Sequence, residues 1–228
     1  MQRRTLLLGG AGALGAGGYL LWQGQGGPAQ SPLPLTPFTP ANAQDATDPA
    51  DLPEVMEMSK GNPDAAVTVI EYASFTCPHC RSFHQNVMPQ LQATYIDPGL
   101  INFIYREVYF DRYGLWAAMM ARCGGPLRYF GIVDMIYEQQ GDWTQGAPAE
   151  IAENLRRIGR TAGLANAELD ACMTDAAMAE AMIANYEAHM AEHEIPGTPS
   201  FVINGELTGN MSFADMQARI DAALEAAG

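Results

Sequence analysis

Basic residues are scarce in this 228-residue chain: 12 Lys and Arg stand against 26 Asp and Glu, for a formal charge of −14. That imbalance excludes nucleic acid and anionic membrane surfaces as natural partners, because both repel a polyanion. Cysteine is scarce too, four in all, and only Cys77 and Cys80 lie close together. A structural zinc site built from two close pairs has no second pair here, which weakens that reading without removing it. The residue after Cys80 is Arg81 rather than histidine, so c-type haem attachment is excluded. No internal repeat is present. With 48% apolar and 17% charged residues, the chain has the composition of a folded protein and the length for one domain with a substantial core.

The one long apolar run is N-terminal. Arg3 and Arg4 precede 18 uncharged residues, Thr5 to Trp22, near the lower limit for spanning a bilayer. Residues 1–29 read as a signal peptide or a signal anchor, and the arginine pair faintly resembles a twin-arginine export signal. Gly27-Pro28-Ala29 is a poor cleavage site, and Ala41-Asn42-Ala43 a better one that lies too far from the apolar run. Gly10 to Gly15 fits the G-x-G-x-x-G dinucleotide pattern, but no strand precedes it, so the match is accidental. Residues 30–53 form a proline-rich tether with little to bury. An exported protein, soluble or anchored at the inner membrane, is expected.

Order is expected from residue 54. "AAVTVIEYA" (65–73) has the apolar, β-branched pattern of a buried central strand, and "INFIYREVYF" (101–110) that of a second. Between them Phe83, Val87 and Leu91 recur at helical spacing, with a kink predicted at Pro89. This makes a βαβ unit with parallel strands. Helical spacing then runs to about residue 190, broken by "GGP" (124–126), "GDWTQGAP" (141–148) and "AGLAN" (162–166). "PSFVING" (199–205) returns to strand with Asn204-Gly205 as a hairpin turn, and a last helix carries Phe213, Met216, Ile220 and Leu224 on one face, capped by Ser212.

Cys77-Pro78-His79-Cys80 therefore sits where a strand hands over to a helix. Unpaired N–H groups and the macrodipole favour an anion there, and a thiolate is the nucleophile and leaving group of disulfide exchange. Cys77 is the candidate nucleophile, Cys80 the deeper resolving thiol, and His79 a donor beside the Cys77 sulfur. A structural disulfide is the bland alternative.

"VIEYASFTCPHC" together with "GTPSFVING" resembles the DsbA-like thiol-disulfide oxidoreductases, from about Met56 to the C-terminus. The resemblance implies an α/β thioredoxin fold (βαβ…ββα around a mixed sheet) over residues 54–228, with an all-helical insertion at about 112–190. It implies a Cys77–Cys80 redox disulfide needing no external cofactor or metal, with Pro78 inside the motif. Pro199 would be the family's cis-proline, and the backbone of Thr198 would pair with a substrate peptide. Glu71 would move protons beneath the dithiol; an exposed Glu71 at the strand end is the alternative. Expected partners are reduced, folding polypeptides and a membrane DsbB-like reoxidant, with a monomeric state. A DsbD-like reductant would instead make the chain an isomerase or reductase, and Thr198, where the original DsbA pattern has valine, keeps that open. A peptide-binding chaperone or a metal carrier using the two thiols is the alternative from another class.

Cys123 and Cys172 fall on apolar helix faces, where free thiols are ordinary. In an exported chain a second disulfide is favoured, and some DsbA-like proteins carry one. His189-Met190-Ala191-Glu192-His193 fits an H-x-x-E-H metalloprotease pattern but reads as a solvated helix end. The 13 methionines read mostly as packing, with a few expected to line a peptide groove near the dithiol.

Overall fold

The computed structural model describes residues 52–228. The expected export segment 1–29, its glycine motif and the tether up to residue 51 lie outside the described residues. Among the described residues, no helix is long and apolar enough to cross a membrane.

Five strands form one mixed sheet in the order β1-β3-β2-β4-β5. They are β1 (Met58–Gly61), β2 (Thr68–Ala73), β3 (Asn102–Glu107), β4 (Ser200–Ile203) and β5 (Glu206–Gly209). β2 and β3 run parallel, and all other pairings are antiparallel. The β2–β3 crossover is α1 (Pro78–Asn86), α2 (Met88–Leu91) and a π turn over Gln92–Ile96. Pro89 has no N–H to offer and its ring collides with the carbonyl four residues back, so the kink predicted there becomes a break into separate pieces.

Alternation along β2 sends side chains to two cores. Val69 and Ala73 enter the main core, whereas Ile70 and Tyr72 join a smaller cluster with Val108, Ile195 and Val202. Glu71 shares the main-core side with Val69 and Ala73. That side is covered by α1 and by helices from the block between β3 and β4.

The block comprises α3 (Arg112–Cys123), α4 (Gly125–Glu138), α5 (Gln140–Trp143), α6 (Pro148–Thr161), α7 (Asn166–Met173) and α8 (Ala176–Glu192). Its centre is α3, whose Ala117, Ala118 and Met120 are fully buried. Gly159 lets α6 approach α7, since a Cβ there would lie 2.5 Å from a Leu169 methyl. Two features depart from the sequence reading. The segment read as a break at 141–148 contributes a helical turn, α5, because Trp143 is buried and donates its indole N–H to the Ile136 carbonyl at 2.9 Å. A further break at Thr174–Asp175 separates α7 from α8, where the Asp175 carboxylate accepts from the Met178 N–H at 2.9 Å.

The β4–β5 turn places Asn204 and Gly205 at φ 45° and 89°, as a primed hairpin turn requires. Asn204 also accepts from the Thr68 N–H at 2.8 Å, pinning the turn to β2. The closing helix α9 (Phe213–Ala227) starts at Ser212, whose hydroxyl accepts from the Asp215 N–H at 3.2 Å, and buries Met216 and Ile220.

Candidate active site

Cys77 is the N-cap of α1, in extended backbone (φ −81°, ψ 121°), and Pro78 takes the first helical position, where its missing N–H costs nothing. The turn into the helix is held from outside. The Gln140 amide donates to the carbonyls of Phe75 at 2.8 Å and Cys77 at 3.0 Å. The Thr76 hydroxyl donates to Asp111 Oδ2 at 2.9 Å, while Oδ1 of Asp111 caps α3 through the N–H groups of Tyr113 and Gly114. Asp111 thus ties the dithiol loop to the helical block.

Both sulfurs are thiols here. Cys77 is 9% exposed and Cys80 is fully buried. The Cys77 thiol donates to the Thr198 carbonyl at 3.5 Å, across from which the Thr198–Pro199 peptide bond is cis. A hydrogen bond from the Cys80 thiol lowers Cys77 to about 5, helped by the Thr198 hydroxyl and the main-chain N–H groups of Cys80 and His79, against the opposing effect of burial. Thr198 Oγ1 is buried without a partner in this thiol form, which leaves its proton free for a thiolate. Burial pushes Cys80 far up, and Cys77 and the Glu71 charge push it further. One thiol is therefore prepared to ionise and the other to stay protonated.

Beneath Cys80 lies a polar layer. Glu71 is fully buried, which removes the alternative of an exposed strand-end acid, and its two carboxylate oxygens lie 3.1 and 3.0 Å from His84 Nε2. The His84 ring stacks on Tyr137, centroids 4.1 Å apart. The Tyr137 and Tyr105 hydroxyls are 2.6 Å apart, and Tyr137 donates to the Ser74 carbonyl at 3.2 Å. Burial drives both phenols well above their ordinary range. Lys60, whose ammonium feels the charges of Asp134 and Glu71, is lowered by burial.

The structure thus gathers Cys77, Pro78, Cys80, Thr198, Pro199 and Glu71 around one point. His79 supplies its main-chain N–H, while the residue itself is exposed. Cys123 and Cys172 lie elsewhere: their sulfurs are joined, with Cα atoms 5.8 Å apart, inside the usual disulfide range. Met56, Met58, Met119, Met178 and Met182 line a cleft of about 300 Å³ beside that bond, so these methionines are not at the dithiol. His193 Nδ1 lies 2.6 Å from the Tyr72 hydroxyl, and the Glu192 carboxylate accepts from Arg106 at 3.0 Å. The two residues are thereby drawn into a cluster under the smaller core. Among the described residues, no group of three or more His, Cys, Asp or Glu side chains could hold a metal ion.

Sequence reasoning missed His84, Tyr105, Tyr137 and Gln140. A signal existed for His84: it stands four residues after Cys80, one helical turn on and on the same face of α1. Gln140 and the tyrosines carry no local signal, since their roles depend on how the block packs against the sheet.

The family model that matches, over residues 54–222, is described as thioredoxin. A Rickettsia bellii protein with the name "Putative protein-disulfide oxidoreductase" is 36% identical over 170 residues, which are 74% of this chain and 65% of that protein. Disulfide bond formation protein D of Bacillus subtilis is 29% identical over 107 residues, covering 43% of this chain and 48% of that one. The match thus spans under two thirds of either relative's length. The crystal structure of Wolbachia pipientis alpha-DsbA1 superposes with a TM-score of 0.70 at 26% identity, covering 78% of this chain and 96% of that chain.

Proposed function

The chain belongs to the thioredoxin superfamily and is DsbA-like, and from that premise we propose that it is an exported thiol-disulfide oxidoreductase that introduces disulfides into folding polypeptides. The observation that carries this reading is the placement of the dithiol: Cys77 caps α1 against the Thr198 carbonyl and the cis Thr198–Pro199 bond, Cys80 is fully buried one turn in, and this asymmetry lowers Cys77 while it raises Cys80. A depressed nucleophile pKa stabilises the reduced form and makes the disulfide oxidising.

In the proposed cycle, a substrate thiolate attacks Cys77 Sγ of the Cys77–Cys80 disulfide, and the electron pair of that bond leaves on Cys80. The substrate's second thiolate then attacks the mixed disulfide at the substrate sulfur and expels Cys77 as a thiolate. The Thr198 main chain holds the substrate strand, and Glu71 serves Cys80. The electrons stay on the protein's own sulfurs, so no external cofactor is needed. A membrane DsbB-like partner reoxidises the pair, and the chain works as a monomer on the exported side of the membrane.

The decisive measurement is the potential of Cys77–Cys80 against glutathione. Thioredoxin, with its nucleophile near ~7, lies at about −270 mV, and DsbA, near ~3.5, at about −120 mV. A value between them, toward the DsbA end, is expected. A value at the thioredoxin end would turn the proposal into the reductase or isomerase reading, and full activity in Cys77→Ser would remove every redox reading.

A further inference from the structure

Cys80 must gain a proton each time it leaves the disulfide and lose one each time it attacks, yet it has no exposed surface. A substrate seated on Cys77 and Thr198 closes the near side. The Glu71 charge is felt at Cys80, and the Glu71–His84 contact must contain a proton, because a bare carboxylate and a bare ring nitrogen at 3.0 Å would repel. His84 has a second nitrogen. Its side chain is 4% exposed, its Nδ1 is buried without a partner, and its ring lines a cleft of about 530 Å³ with Lys60, Met88, Phe130, Asp134 and Tyr137. Gln85, Pro89 and Glu138, all exposed, form the outer wall of that cleft, and none of Cys77, Thr198 or Pro199 belongs to it.

We propose that His84 is the proton relay of the dithiol, carrying protons between Glu71 beneath Cys80 and solvent in this cleft, by a route that stays open while substrate covers Cys77. The inference rests on the thiol-disulfide reading above. In the forward step RS⁻ bonds to Cys77 Sγ, the Cys77–Cys80 bond breaks with its electron pair on Cys80, and Cys80 takes a proton from the Glu71–His84 pair. The pair is refilled from the cleft. In reoxidation the Cys77 thiolate displaces one thiolate from a partner disulfide. Cys80 then gives its proton to the pair and attacks Cys77 Sγ, releasing the second partner thiolate. The groups facing the relay are Cys80 on α1, Lys60 on β1, Tyr105 on β3, and Asp134, Tyr137 and Glu138 on α4. The buried phenols stay neutral, and the Lys60 ammonium answers the Asp134 and Glu71 charges.

The experiment mixes the reduced full chain with glutathione disulfide, quenches in acid, and separates the Cys77–glutathione adduct from the closed disulfide by mass. Adduct formation and closure are timed from pH 5 to 9. In His84→Gln, adduct formation should stay within about twofold of wild type, while closure slows roughly 10²-fold and its pH profile flattens. In His84→Ala, added imidazole should restore closure in proportion to its concentration. Closure at the wild-type rate and profile in folded His84→Gln would overturn the relay. If neither variant folds, NMR titration of the wild-type His84 ring decides: a midpoint that differs between dithiol and disulfide forms supports the relay, and an identical one overturns it. A wild-type chain that forms no adduct at all overturns the exchange reading itself, and the relay with it.

Discussion

Glu71 on β2 and Glu107 on β3 are both carboxylates buried in apolar strands, 0% and 7% exposed, but they are held by different chemistry. Glu107 is gripped by the Arg122 guanidinium through two bonds, of 2.8 and 2.6 Å, and accepts a third from the Tyr129 hydroxyl at 2.7 Å. Burial works against the Arg122 charge, and the Glu107 carboxylate more than reverses it. The Arg122 charge is therefore held in place, and the site is a fixed clamp between β3 and the helical block. Glu71 faces a histidine ring instead, with two nitrogens that can each donate or accept a proton. An arginine partner makes a buried acid part of the scaffold; a histidine partner leaves it able to exchange.

The strongest way to break this comparison is Arg122→Met. It strands a buried carboxylate and should lower unfolding free energy by about 3–5 kcal/mol in urea titration, with the rate of thiol exchange unchanged. Glu71→Gln keeps a polar partner for His84 and should cost less than about 2 kcal/mol; equal losses in the two variants would erase the distinction. Tyr129→Phe removes one bond to a charged acceptor and should cost roughly 1.5–3 kcal/mol, again without an effect on exchange.

A finer probe is the thiolate absorbance of the reduced protein. Its first phase should have a midpoint near 5, from Cys77, and vanish in Cys77→Ser. Because the Glu71 charge raises Cys80, Glu71→Gln should speed alkylation of Cys80 in the Cys77→Ser background at a fixed alkaline pH, and Glu107→Gln should leave that rate unchanged. The last effect is on stability. The Cys77 thiol is depressed in the fold from an ordinary 9.0 to about 5. Its contribution to the reduced state is therefore complete above pH 9 and fades as pH falls toward 5. Chemical unfolding of the reduced protein and of Cys77→Ser should converge at the acid end of that window.

Nothing in "VIEYA" and "YREVY" separates the two acids. Each reads as one charge in a buried strand, and what distinguishes them lies 13 and 15 residues away, on α1 and α3. The resemblance to a family pointed to Glu71; no local pattern pointed to Glu107. The central strands were legible because strands buried on both faces leave continuous apolar runs. β1 was not, since Met58–Gly61 is four residues of mixed character at the sheet edge, held by its register against β3. The dithiol was legible from spacing and position alone. Its supports were not, because Gln140 reaches the Phe75 and Cys77 carbonyls across more than 60 positions of sequence.

Asp111 serves two masters with one carboxylate, the Thr76 hydroxyl on the loop before Cys77 and the first turn of α3. Gly114 extends the joint, since a Cβ there would lie 3.4 Å from Ser74 Oγ. The helical block is thus not a detachable ornament on a redox core. Any rocking of α3 is transmitted to the loop that aims Cys77, so grafting another insertion onto this sheet would have to rebuild that rivet before the thiol could find its mark.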